Sequence, residues 1–256
     1  MNRLDRLFKD KKDICSVYYT AGFPNVNDTL PVLEALQDGK ADLVEIGMPF
    51  SDPLADGPTI QNSSEHALEN GMSINLLFEQ LKTMRKSIHI PVVLMGYFNP
   101  VLKYGVEAFI SKCSEVGVDG VIIPDLPFDE YRENYQTIFD KAQVANVFLI
   151  TPQTSDERIK LIDAHSKGFI YVVSSASVTG AKKEMQDEQI CYFNRVNALD
   201  LQTPRLIGFG ISNRSTFEMA CQHASGAIIG SAFVKLLNKK GADKEAIQIF
   251  IKELKG

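Results

Sequence analysis

Eight short apolar runs recur along the 256 residues, and helical patterns fill the spaces between them. The runs cover 14–19, 43–46, 92–95, 120–123, 147–150, 170–173, 206–209 and 227–229, and each is read as a strand. Helical spacing of apolar residues appears over 29–37, 74–87, 106–116, 130–145, 156–166, 216–223 and 244–254. Strands that alternate with helices imply parallel β–α–β units. Eight such units imply an α/β fold, a closed (β/α)8 barrel. The runs are apolar almost throughout, as expected of parallel strands covered on both sides. No Pro/Gly/Ser-rich linker divides the chain, so one barrel domain is expected over 1–256, with a short N-terminal helix. The last helix, with Ile247, Phe250, Ile251 and Leu254 on one face, is expected to close the outer ring.

The formal charge of −5 speaks against a nucleic-acid partner, which calls for a basic face. It leaves an anionic substrate open, because backbone N–H groups can hold a phosphate. Cys15, Cys113, Cys191 and Cys221 lie far apart with no CxxC pair, a pattern that predicts neither metal nor redox motif and suits a reducing compartment. No apolar window approaches a membrane span, and a cytoplasmic location is expected.

In barrels of this kind the chemistry sits at the C-terminal ends of the strands. That rule gathers Glu45, Asp56, Tyr97, Asn99, Asp125, residues 174–180, Gly208, Gly210, Ser212, Gly230 and Ser231 on one rim. Glu45 is a carboxylate inside an apolar strand, which is costly without a chemical reason. No Lys or Arg lies in the expected strands, so a structural partner would have to come from a loop. Burial should raise its pKa and let it exchange protons near neutral pH. Downstream, Pro49, Pro53 and Pro58 stiffen a loop that holds Asp52 and Asp56. Residue chemistry leaves these two even, since either is a candidate cap for a helix starting near Gly57.

Gly210 and Gly230 would let backbone approach an anion, and Ser231 stands where a short helix over 232–237 would start. The polar stretch 174–189 has the length of a lid or a disordered segment. Tyr18, at the end of strand one, and Tyr171, in strand six, read from their residue type alone as ordinary core aromatics. His66, His89, His165 and His223 fall in expected helices or at their ends and read as surface or packing residues.

The segment Glu45 to Gln61 resembles the signature of the tryptophan synthase α-subunit family, E-I-G-x-P-F-S-D-P-x-A-D-G-P-x-I-Q. Leu94-Met-Gly-Tyr-Phe-Asn-Pro100, Ile123-Pro-Asp-Leu-Pro127, Val178-Thr-Gly180, Gly208-Phe-Gly-Ile211 and Gly230-Ser-Ala232 resemble the family's other motifs, in the family's order. The resemblance implies retro-aldol cleavage of indole-3-glycerol phosphate to indole and glyceraldehyde 3-phosphate. It implies Glu45 as acid/base, Asp56 as the catalytic aspartate, and Asp52 as a loop residue that supports closure and partner contact. Tyr18 and Tyr171 would lie beside the indole ring, with Phe209 also on the substrate. Gly180, Gly210, Gly230 and Ser231 would hold the phosphate, and Thr179 would belong to the lid. No cofactor is implied for this chain. Pyridoxal phosphate belongs to the family's β subunit, with which an α2β2 heterotetramer and transfer of indole are implied. Two positions depart from the family pattern: Ser177 stands where glycine is common, which should stiffen the lid's hinge, and Tyr18 where phenylalanine is frequent. Two other readings share the glycine rim or the fold: an isomerase of a phosphorylated ribose derivative, and a barrel retained only to activate a partner.

Overall fold

The computed structural model describes residues 2–174, 187–208 and 210–256. The strands are β1 (Ile14–Thr20), β2 (Leu43–Gly47), β3 (Val92–Met95), β4 (Gly120–Ile122), β5 (Ala145–Ile150), β6 (Ile170–Val173), β7 (Arg205–Gly208) and β8 (Gly226–Ile229). All neighbours pair in parallel and β8 returns to β1, which closes the barrel. The helices are α1 (Arg3–Asp10), α2 (Thr29–Asp38), α3 (Pro58–Glu69), α4 (Ile74–Leu81), α5 (Phe98–Tyr104), α6 (Val106–Val116), α7 (Phe128–Glu130), α8 (Gln136–Ala142), α9 (Asp156–His165), α10 (Asp187–Asn197), α11 (Arg214–His223), α12 (Ser231–Lys240) and α13 (Lys244–Lys255). A π-helical turn, Tyr131–Tyr135, joins α7 to α8.

Alternation along each strand sorts the apolar residues into two buried clusters. Ile14, Leu43, Val93, Ile122, Val147, Tyr171, Leu206 and Ile228 fill the barrel interior. Their neighbours Cys15, Val44, Leu94, Val121, Phe148, Val172, Ile207 and Ala227 pack outward among the helices. Leu4 of α1 belongs to the interior cluster, with Leu7 and Phe8 against it, so α1 plugs the N-terminal end of the barrel. Burying Leu4 alone contributes about 1.5–3 kcal/mol. The helix starts cleanly because Asn2 forms a capping box with Asp5.

Polar clamps brace that same end. Buried Asp119, just before β4, accepts from Arg3 Nη1 (3.0 Å), Arg85 Nη2 (2.6 Å) and the Val92 N–H (2.9 Å). Asp42, just before β2, pairs with Lys11 and with Lys255 (2.9 Å) and accepts the Cys15 N–H (2.9 Å).

Several expected boundaries move. The helix expected over 74–87 stops at Leu81, and a 3-10 turn, Met84–Lys86, follows. That turn carries Arg85 beneath the barrel, where it also donates to the carbonyls of Gly117 (2.9 Å) and Ile90 (2.7 Å). The helix expected to run to 145 ends at Ala142. Gln143 turns left-handed at φ 57°, and pairing with Gly120 draws Ala145 into β5. Arg205, expected outside the strands, opens β7 because it pairs with Ile170. It lies at the end of its strand remote from the Glu45 rim. His89 sits in the coil before β3, not at a helix end. The expected lid 174–189 loses Asp187 to Gln189 to α10, while Ser177, Thr179, Gly180 and Phe209 lie outside the described residues.

Candidate active site

Glu45 is the third residue of β2 and pairs in register with Tyr18. Alternation turns it inward with Leu43, near the C-terminal end of the strand. It is fully buried. Ser16, two residues before Tyr18 and on the same face of β1, donates its hydroxyl to Glu45 Oε1 at 2.8 Å. Oε2 has no hydrogen-bond partner among the described residues. Burial pushes the carboxyl from 4.5 up to about 8, against a smaller downward pull from the Ser16 hydrogen bond. The carboxyl is therefore mostly protonated at neutral pH and sits where it can both give and take a proton.

The loop after β2 separates the two aspartates. Asp52 is exposed and accepts from Ser51 Oγ at 2.7 Å. Asp56 is half-buried, and the Tyr97 hydroxyl donates to its Oδ2 at 2.9 Å. Burial raises the Asp56 pKa and the Tyr97 hydrogen bond partly offsets that rise. Neither aspartate caps α3: the cap residue is Gly57, with no side-chain hydrogen bond, and Pro58 takes the first helical position.

Two tyrosines crowd onto glycines. A Cβ added to Gly47 would meet Tyr18 Oη at 2.1 Å, and one added to Gly208 would meet Tyr171 Oη at 2.1 Å. Glycine at these inward positions is what lets the phenols lie across the barrel mouth. Thr20 is the polar group beside the Tyr18 hydroxyl. Burial pushes the Tyr171 phenol well up, and the charges of Glu45 and Asp56 push it the same way. Glu45, Asp56, Tyr18 and Tyr171 thus face one space.

Across that space, Gly230 is the cap residue of α12, and Ser231 begins the helix. The first helical bond runs from the Val234 N–H to the Gly230 carbonyl (3.0 Å), so the amides of Ser231 to Phe233 precede the helical ladder. The helix runs to Lys240, beyond the expected 237. Gly210 adopts φ +80°, a conformation natural to glycine, and is exposed on the neighbouring loop. A Cβ at Gly230 would come within 3.7 Å of Tyr18 Cβ, which sets this anion-competent turn beside the aromatic wall.

The sequence model of the tryptophan synthase alpha chain family matches residues 4–255. The chain belongs to this family. It is 55% identical over 255 residues to the tryptophan synthase alpha chain of Flavobacterium johnsoniae, covering 100% of both chains. It is 54% identical over 256 residues to that of Parabacteroides distasonis, again over 100% of both. The crystal structure of the tryptophan synthase alpha chain from Legionella pneumophila matches with a TM-score of 0.88 and 30% identity, covering 99% of this chain and 96% of that one. Membership favours the α-subunit reading over the isomerase and the catalytically idle activator.

Within the alpha-chain framework, two residues with no expected role now stand at the acids. Ser16 is one of two buried polar residues, with Thr20, on the Tyr18 face of β1, and its place on that face is readable from spacing, although its bond to Glu45 is not. Tyr97 falls on the expected rim, but its bond to Asp56 crosses 41 residues of sequence and leaves no local trace. Among the described residues, no group of three or more His, Cys, Asp or Glu side chains is placed to hold a metal ion.

Proposed function

We propose that this member of the alpha-chain family cleaves indole-3-glycerol phosphate to indole and glyceraldehyde 3-phosphate, with Glu45 moving the protons and Asp56 holding the ring. The supporting observation is the buried Glu45 carboxyl, hydrogen-bonded through one oxygen among the described residues and shifted to about 8. In the protonated form it donates to indole C3, which makes the ring cationic and weakens the bond to the glycerol chain. The resulting carboxylate takes the proton from the hydroxyl on the neighbouring side-chain carbon. As that hydroxyl becomes the aldehyde carbonyl, the carbon–carbon bond breaks and its electron pair restores the aromatic ring. Glu45 ends protonated, as it began. Asp56, ionised, accepts the ring N–H and stabilises the positive charge.

Tyr18 and Tyr171 flank the ring, with Phe209 and the lid residue Thr179 completing the enclosure. The phosphate takes Gly180, Gly210, Gly230 and Ser231, where backbone donors and a helix N-terminus favour an anion. Indole then passes to a β subunit, in which the pyridoxal phosphate resides, within an α2β2 heterotetramer in the cytoplasm. The loop that carries Asp56 also carries Leu54, 89% exposed, an apolar side chain ready for such a partner.

Glu45→Gln is expected to fold normally and lose nearly all indole release, since a general acid/base contributes about 10²–10⁴-fold and here serves two steps. Asp56→Asn loses most activity and Asp52→Asn keeps more of it. Circular dichroism and an indole-release assay on each variant provide the test; a folded Glu45→Gln with wild-type turnover rejects the assignment.

A further inference from the structure

Tyr97 stands at the start of α5, on the loop after β3, and its hydroxyl makes two hydrogen bonds into the loop after β2. It accepts the Ala55 N–H at 2.9 Å and donates to Asp56 Oδ2 at 2.9 Å. The first bond fixes the direction of the second: with the amide occupying an oxygen lone pair, the phenolic proton is free to point at the carboxylate. The ring lies against Phe50 of the same loop, with centroids 5.2 Å apart. The Tyr97 backbone is itself anchored, because Asp125, after β4, accepts the Phe98 N–H at 2.8 Å. Three consecutive rim loops are thereby linked in series and end on one carboxylate.

We propose that Tyr97 is a positioning residue for the cleavage reaction, holding Asp56 aimed at the ring nitrogen and ionised. The inference rests on the assignment of Asp56 made above. A carboxylate on a loop with Leu54 and Ala55 exposed has many orientations, and only a fixed one meets a ring N–H. The bond also opposes the effect of burial on Asp56. Among the described residues, the groups that face this carboxyl are phenols: Tyr97 from the loop after β3, Tyr18 from β1 and Tyr171 from β6. Glu45 faces the same Tyr18 and Tyr171, and Asp125 acts on Tyr97. Removing the Tyr97 donor therefore removes a hydrogen bond that favours the charged form, and the Asp56 pKa rises.

The test is Tyr97→Phe in the full chain, with Asp56→Asn and the double variant beside it. Each is checked by circular dichroism and assayed for indole release across pH. A hydrogen bond to a charged group of this kind corresponds to about a 10-fold to 100-fold loss in kcat, with a smaller change in KM. The acidic limb of the kcat profile moves to higher pH in Tyr97→Phe, a shift that a merely structural role would not produce. The double variant is no slower than Asp56→Asn, because Tyr97 acts through that carboxylate. An unmoved limb with unchanged kcat overturns the proposal, and so does a double variant that shows the full product of both losses. Wild-type turnover in Asp56→Asn would instead remove the Asp56 assignment itself. An inactive Asp56→Asn beside an unaffected Tyr97→Phe leaves that assignment standing and removes only the role of Tyr97.

Discussion

At the Glu45 carboxyl, burial outweighs the hydrogen bond from Ser16, and the balance fixes both reactivity and stability. The Ser16 bond favours the ionised form. Ser16→Ala should therefore push the Glu45 pKa above about 8 and move the alkaline limb of kcat, where the acid form is lost, to higher pH. A pH profile of indole release checks this; an unmoved limb shows that Glu45 ionisation does not govern it. The same shift makes stability depend on pH. The folded pKa is raised, so Glu45 contributes stability that is fully present below 4.5 and is lost as pH rises through about 8. Glu45→Gln cannot ionise, so its denaturation midpoint should gain on the wild type steadily across that window. Parallel curves for the two proteins would contradict a shifted Glu45.

At the scale of elements, the barrel is closed from below by charge pairing as well as by α1. Asp119 joins α1, through Arg3, to the 3-10 turn that carries Arg85 and to the first amide of β3. The Asp119 side chain is 3% exposed and that of Arg85 is 17% exposed, so removing the carboxylate leaves the largely buried Arg85 charge without its partner. Asp119→Ala should cost about 3–5 kcal/mol, measured as a fall in unfolding free energy. A loss within experimental error would mean that water replaces the carboxylate. This clamp also accounts for a misplaced boundary. Helical spacing continues from Ile74 past Leu81, but Arg85 must reach Asp119, Gly117 and Ile90 together, and the tighter turn allows it. Propensity is a weak preference beside four hydrogen bonds made through one guanidinium, the fourth to the Ile88 carbonyl.

For the whole molecule, barrel closure brings loops far apart in sequence to one rim, and that rim is where a partner can act on the chemistry. Leu54 protrudes from the loop that carries Asp56, two residues from it. Titration with a cognate β subunit should raise indole release, and a substrate analogue bound here should tighten the complex, with a coupling of about 1–3 kcal/mol. Leu54→Ser should weaken the complex while leaving the activity of the isolated chain unchanged. Flat indole release through saturation, with affinity indifferent to the analogue, would show that the chain works alone.

The repeat of eight apolar runs was enough to determine a barrel, because parallel strands buried on both faces leave a continuous apolar signature. Glu45 was legible for the same reason: a charge within such a run stands out against its neighbours. The contrast between Asp52 and Asp56 was not legible, since both sit on one proline-rich loop with the same local chemistry. Tertiary structure separated their surroundings by turning one to solvent and setting the other under the Tyr97 hydroxyl. Ser16 at Glu45, Tyr97 at Asp56, and Asp119 between Arg3 and Arg85 are likewise contacts between segments 29, 41 and 34 or more residues apart. Periodicity reports which face of an element is buried. Which polar group meets which across the barrel is decided only when the strands close and their register is set.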